Sequence, residues 1–217
     1  MGSRITTYTL LVALFFSLLV LMQRAGGFRL PGNQQGYEPV QPIAYSHRLH
    51  AGELQIDCLY CHSGAETSRH AGIPPTSTCM NCHRFVSAPW GAVRAEDEAA
   101  QEEKREPRRI VSPEIAKVYA AMGLNEDGQR DPSVEPRPVE WVQVHNLPDF
   151  AYFDHRAHVN AGVACQTCHG PVETMERVRQ FQTLSMGWCV NCHRDANAKG
   201  VQGKAADASI DCATCHY

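Results

Sequence analysis

The sequence predicts a chain that is mainly irregular, with short α-helices wrapped around a core of non-protein groups, behind an N-terminal transmembrane helix. Three observations predict this. All ten cysteines fall into five Cys-x-x-Cys pairs, each pair is followed at once by histidine, and residues 5–22 carry no charge. A length of 217 residues is a prior of one to two domains. The net charge of -3 lacks the strongly basic footprint of a nucleic-acid-binding domain, so no nucleic-acid partner is expected. With 20% charged and 43% hydrophobic residues, wholesale disorder is excluded.

The five motifs are Cys58-Leu-Tyr-Cys61-His62, Cys79-Met-Asn-Cys82-His83, Cys165-Gln-Thr-Cys168-His169, Cys189-Val-Asn-Cys192-His193 and Cys212-Ala-Thr-Cys215-His216. With 11 histidines in the chain, five such placements by chance come to roughly 3 in 10 million, and C-x-x-C-H is the attachment signature of c-type haem. The two thiols reach the two vinyl carbons of one porphyrin, and the following histidine lies under the iron as proximal ligand. Zinc is the competing chemistry. Zinc ribbons pair two knuckles, so five leave one over, and zinc gives no reason for a histidine after every second cysteine. A thioredoxin-like site needs one such motif. Five haem c groups in about 190 residues outside a membrane leave about 38 residues each, too few for an ordinary hydrophobic core. The fold class is therefore short helices and irregular chain around a haem-packed core. Counting propionates, five haems move the net charge to about -8 oxidised and about -13 reduced, so neighbouring potentials are expected to be coupled.

Taken in order, residues 1–28 read as a membrane anchor. Eighteen helical residues rise about 27 Å, against a hydrocarbon core of about 30 Å. A cleaved signal peptide is the alternative: the apolar run exceeds the usual h-region of about 7 to 15 residues, but Ala25-Gly26-Gly27 offers a cleavage site. Arg4 precedes the run while Arg24 and Arg29 follow it, which weakly opposes the expected orientation. Haem attachment overrides this, because bacterial thioethers are made on the outer face of the cytoplasmic membrane. The haem region is thus expected on the periplasmic side of a bacterial inner membrane.

Residues 29–42, rich in Gly, Pro and Gln, read as a tether, and 43–90 as a dihaem half. The spacer 91–140 has a mixed-charge run, Arg94 to Arg109, with six acids and five bases, read as a solvated helix or loop. Ser112-Pro113 starts a short helix as N-cap and first position. Its apolar face is Ile115, Val118, Tyr119 and Met122, and Gly123 ends it. That face is expected to pack on the haem core or a partner subunit. Pro132, Pro136 and Pro138 mark an extended linker. Residues 141–217 form a trihaem half.

The halves repeat. Tyr45-Ser-His47-x-x-His50 precedes Cys58 by seven residues, and Phe153-Asp-His155-x-x-His158 precedes Cys165 by six. Cys79-Met-Asn-Cys82-His83-Arg84 echoes Cys189-Val-Asn-Cys192-His193-Arg194. On a helical turn, i and i+3 share a face, so each His-x-x-His pair can serve two adjacent irons. His47, His50, His155 and His158 are the candidate distal ligands. Candidates for the fifth iron are Met175, His145, His70, Met186 or none. Met175 stands nearly where His70 stands in the first repeat, after Glu173-Thr174 against Glu66-Thr67, and a Met/His haem would sit at higher potential.

Aromatic-x-His-x-x-His followed by Cys-x-x-Cys-His resembles the class III multihaem cytochromes of the periplasm. That resemblance implies that His47 serves the haem of Cys58/Cys61, His50 that of Cys79/Cys82, His155 that of Cys165/Cys168 and His158 that of Cys189/Cys192. It further implies Met175 for Cys212/Cys215, where the family has histidine. The whole layout resembles the pentahaem subunits of alternative complex III. Its features are the anchor, two motifs, a long spacer, His145-Asn-Leu-Pro-Asp-Phe-Ala-Tyr-Phe-Asp-His155, and Met186-Gly-Trp-Cys189. This second resemblance implies an electron-relaying subunit of a membrane quinol:electron-acceptor oxidoreductase. Its partners would be an iron-sulfur subunit, integral membrane subunits and a monohaem cytochrome c, then a terminal oxidase.

Two other functions compete. A stand-alone quinol dehydrogenase feeding periplasmic reductases usually carries methionine two residues after the first motif's histidine. Here Ser63-Gly64 follow His62. A multihaem reductase enzyme needs an open iron, often marked by Cys-x-x-Cys-Lys, and all five motifs end in histidine. No catalytic residues are expected on the chain itself.

Overall fold

The computed structural model describes residues 2–24 and 34–216, with side chains over 5–21 and 34–216. The Ala25-Gly26-Gly27 site and residues 29–33 of the expected tether lie outside the described residues. Among those described there is no β-strand, only the isolated bridges Leu124–Arg130, Ala151–His216 and Val201–Lys204. The rest is short helix and irregular chain, as the motif density requires.

Helix α1 spans Gly2–Arg24. Every described side chain on it is exposed, and they are apolar around most of the circumference. Thr9 returns its hydroxyl to the Ile5 carbonyl at 2.6 Å, satisfying the polar group within the helix. The 17 residues of 5–21 rise about 26 Å, short of a hydrocarbon core of about 30 Å. Among the described residues no helix is long and apolar enough to cross a membrane.

The described part of the expected tether, 34–42, is extended and docked. Gly36 donates to the Gln180 carbonyl at 2.7 Å, and Gln180 donates back to Tyr37 at 3.0 Å. Gln41 exchanges two bonds of 2.9 Å with the backbone of Val142.

Helices α2 (Cys58–Cys61), α3 (Thr76–His83), α7 (Cys165–His169), α8 (Met186–Lys199) and α9 (Cys212–Cys215) each carry one Cys-x-x-Cys pair. Between them, α4 (Trp90–Glu102) holds most of the mixed-charge run. Its buried Ala100 faces inward, while Arg105 turns back to Glu96 at 2.5 Å. Helix α5 (Pro113–Ala121) starts at Ser112, whose hydroxyl accepts from the Ile115 amide at 3.4 Å. It stops at Gly123, which has φ +69°. Val118 and Tyr119 pack with Ile43 and Met80, and Ile115, Met122 and Trp141 flank them. The apolar face of α5 thus lies on α3, the helix of the second motif.

The halves hold each other by reciprocal contacts. The turn Arg48–Glu53 of the first half lies on the 3-10 turn Val172–Thr174 of the second. Helix α6 (His155–Asn160) of the second half lies on the 3-10 turn Ser63–Glu66 of the first. Equivalent bonds close both seams: Arg48 donates its amide to Met175 at 2.9 Å, and Arg156 to Ser68 at 3.3 Å. The extra residue before Cys58 is absorbed locally. Arg48–Glu53 is a π-helical turn with Leu54 bonded to Leu49, where the second half has an α-helix. Both loops then close alike, Ile56 to His50 and Val163 to His158, each at 3.0 Å.

Candidate functional site

Each Cys-x-x-Cys pair spans one helical turn, which puts both sulfurs on one face with the histidine beside them. Local chemistry starts these turns. Asp57 accepts from the Leu59 amide at 2.7 Å, Asp211 from Ala213 at 3.1 Å, and Ser185 from Trp188 at 3.3 Å. None of the ten cysteines is in a disulfide.

Four of the proximal histidines stand opposite the four upstream ones. Ring centroids are 6.5 Å apart for His47 and His62 and 6.3 Å for His155 and His169, with planes within 3° and 10° of parallel. His50 and His83 are 6.1 Å apart, and His158 and His193 6.0 Å. A metal–imidazole bond is about 2.0 Å and a ring nitrogen lies roughly 1.1 Å from its centroid, so rings on opposite sides of one metal stand roughly 6 Å apart. The spacing fits axial ligation of a haem iron. Among the described residues no group of three or more His, Cys, Asp and Glu could hold a metal ion, and these histidines stand in pairs.

The second ring nitrogens support the same fit. Nδ1 of His62 meets the Gly72 carbonyl at 2.6 Å, His83 meets Val86 at 2.8 Å, and His193 meets Ser209 at 2.5 Å. Nδ1 of His50 meets Ser46 at 2.8 Å, His155 meets Arg69 at 2.9 Å, and His158 meets Asp154 at 2.8 Å. A carbonyl can only accept, so Nδ1 carries the hydrogen and Nε2 keeps its lone pair for a metal. Two rings depart from the pattern. His169 Nδ1 meets Nε2 of His145 at 3.1 Å, and the buried Nδ1 of His47 has no partner.

The aromatic residue two positions before each His-x-x-His pair braces it. Tyr45 meets His47 edge-on at 4.8 Å and stacks on His50 at 4.3 Å. Phe153 does the same to His155 at 4.9 Å and His158 at 4.5 Å. Burial holds the His47 and His169 imidazoles neutral. It lowers the His47 pKa to about 4, with His62 and His50 adding to it. It lowers His169 to about 3, with His145 foremost among the histidines that add to it.

Neighbouring motifs adjoin in a definite order. Burial raises the pKa of several thiols, and thiols of adjacent motifs add to it. Cys58 lies within hydrogen-bonding reach of Cys165, and Cys61 faces Cys79 and Cys82. Cys168 is pushed up to about 11, with Cys192 and Cys189 contributing, and Cys189 faces Cys215. The order in space is second, first, third, fourth, fifth. Cys82 and Cys212, in the outer two, are exposed.

The fifth motif is different. His216 Nδ1 lies 3.3 Å from the Phe150 carbonyl, and the Tyr152 amide donates to the Cys215 carbonyl at 2.8 Å. Met175 is buried at the seam with Arg48. Its equivalent in the first half is Ser68, not His70, because each carbonyl accepts the matching arginine amide from the other half. His145 sits against His169, with ring centroids 4.3 Å apart. His70 and Met186 are exposed. None of these contacts brings a second ligand candidate onto His216.

Sequence reasoning missed two supports. Buried Tyr119 donates to the His83 carbonyl at 2.6 Å and accepts from Arg109 at 2.8 Å, fixing the end of the second motif. Buried Gln180 accepts from the Asn146 amide at 3.3 Å and so places the segment holding His145. Tyr119 was read only as part of an apolar face, and nothing local marks Gln180.

Comparison with known proteins agrees with the motifs. The family model described as cytochrome c7 and related cytochrome c matches residues 151–217. Over 196 residues the chain is 25% identical to the multihaem cytochrome c subunit of menaquinone reductase from Nitratidesulfovibrio vulgaris Hildenborough. That alignment covers 81% of this chain and 76% of the relative. The chain is thus similar to multihaem cytochromes c, a class that implies covalently bound haem c and electron transfer.

Proposed function

We propose that this chain is a pentahaem cytochrome c that relays electrons within a membrane quinol:electron-acceptor oxidoreductase of the alternative complex III type. The observation that carries this reading is the set of four opposed imidazole pairs, each joining a proximal histidine to one arm of a His-x-x-His pair. When bound, each haem supplies a one-electron ferric/ferrous couple. The chain's own residues do the remaining work. Ten cysteines would tether the haems, and His62, His83, His169, His193 and His216 would be their proximal ligands. His47, His50, His155 and His158 would be distal ligands, and carbonyl acceptors hold most of these rings in one tautomer. The order of the motifs makes the second and fifth the points of electron entry and exit.

A relative named as a menaquinone reductase subunit supports the quinol side of the reading. The uniformly exposed, largely apolar side chains of α1 over residues 5–21 support an anchor in a bacterial inner membrane, with the haem region on the periplasmic face. The partners are an iron-sulfur subunit, integral membrane subunits and a monohaem cytochrome c or oxidase. The test is affinity isolation from mildly solubilised native membranes, with haem counted per chain. Five haems and a stoichiometric assembly with iron-sulfur and polytopic subunits are expected. A lone chain, or one paired only with a soluble reductase, overturns the relay in favour of a stand-alone quinol dehydrogenase. Fewer than five haems overturns the count.

A further inference from the structure

The pairs His47–His62 and His155–His169 are equivalents across the repeat, and both are nearly parallel. Their second ring nitrogens are treated differently. In the third motif both have acceptors: His155 Nδ1 meets the Arg69 carbonyl, and His169 Nδ1 meets a second imidazole, His145. In the first motif only His62 has one, and the buried Nδ1 of His47 has none. A ring that gives its N–H to an acceptor becomes a more basic ligand, and a more basic ligand favours the ferric state.

We propose that His145 is a positioning residue that, by accepting the Nδ1 hydrogen of His169, sets the haem of Cys165/Cys168 at a lower potential than its counterpart on Cys58/Cys61. The inference rests on the axial pairing proposed above. His145 is held for this role from both sides. The adjacent Asn146 amide donates to buried Gln180, and Gln143 donates to the His145 carbonyl at 2.9 Å. The third motif, next to the first in space, then sits uphill of it for an electron, and the seam between the halves becomes a step in the relay.

The test uses the full haem-loaded chain, titrated optically and followed by electron paramagnetic resonance. Wild type is expected to show a low-spin signal from two imidazoles at the third motif. Its absence refutes the axial pairing itself, a separate failure from that of the inference. His145→Ala is expected to move one low-spin transition to more positive potential and leave the others in place. His145→Gln, whose carboxamide oxygen accepts, is expected to move that transition back. Gln143→Ala, at an exposed residue, is expected to shift it the same way by less, and it decides the matter if His145→Ala loses haem. No shift in either alanine variant, or equal shifts for His145→Ala and His145→Gln, overturns the proposal.

Discussion

The amide of Arg48 donates to the carbonyl of Met175 at 2.9 Å, so the turn that presents His47 and His50 rests on the chain just after the third motif. The reverse contact, Arg156 to Ser68, rests α6 on the chain just after the first. Each half therefore positions its His-x-x-His pair by leaning on the other.

Close approach at this seam makes Gly52 irreplaceable. A Cβ there would collide with the carbonyl of Glu173, which is backbone and has little room to yield. Gly52→Ala is expected to cost about 1–3 kcal/mol, as overpacking does. Gly91 in α4 has nothing within 4 Å, so Gly91→Ala is expected to gain about 0.4–1 kcal/mol instead. Urea titration of the two variants checks the contrast, and equal effects refute it.

Removing the Tyr119 hydroxyl leaves the His83 carbonyl and the Arg109 guanidinium short of a partner. Tyr119→Phe is expected to destabilise by about 1–3 kcal/mol. The accompanying spectral change should be confined to the second motif. Thermal melts and low-temperature optical spectra read both effects.

Met175 is buried at the seam, where its carbonyl accepts from the Arg48 amide. Met175→Leu, a volume-conserving swap, is expected to cost less than about 1.5 kcal/mol. It should leave any methionine–iron charge-transfer band unchanged. Loss of such a band in the variant would establish Met175 as an axial ligand.

Arg105 bonds to Glu96 and the Arg108 amide also donates to it, which lowers the Glu96 pKa from the usual carboxylate range to about 2. The folded value lies below the unfolded one. The ion pair's contribution is therefore complete above about pH 4.5 and lost as pH falls through about 2. Carboxyl carbon shifts followed by nuclear magnetic resonance should titrate near the lower value. A midpoint near 4.5 would refute the pairing.

The buried hydrophobic residues among those described are few and small in total, centred on Ile43, Met80, Val118 and Tyr119. Too little apolar surface is covered to stabilise a chain of this length without haem. The chain produced without haem attachment is expected to lose its cooperative unfolding transition and most helical circular dichroism. A sharp melt of the haem-free chain would show that the protein supplies its own core.

Covalent and short-range chemistry was legible in the sequence. The ten cysteines of the Cys-x-x-Cys pairs, the histidine after each pair and the two His-x-x-His pairs are written as fixed local spacings. So is α5, whose cap Ser112, first residue Pro113 and terminal Gly123 lie close together in sequence. Local spacing also exposed the repeat, and with it the one-residue surplus that becomes the π turn before Cys58. What the tertiary structure alone decided depends on contacts between residues far apart in sequence. The seam bonds from Arg48 to Met175 and from Arg156 to Ser68, the buried carboxamide of Gln180 and the placing of His145 on His169 leave no local mark. A hydrogen bond across 24 residues carries no periodicity, and only packing the two halves together determines which ring nitrogen finds a partner and which, as in His47, does not.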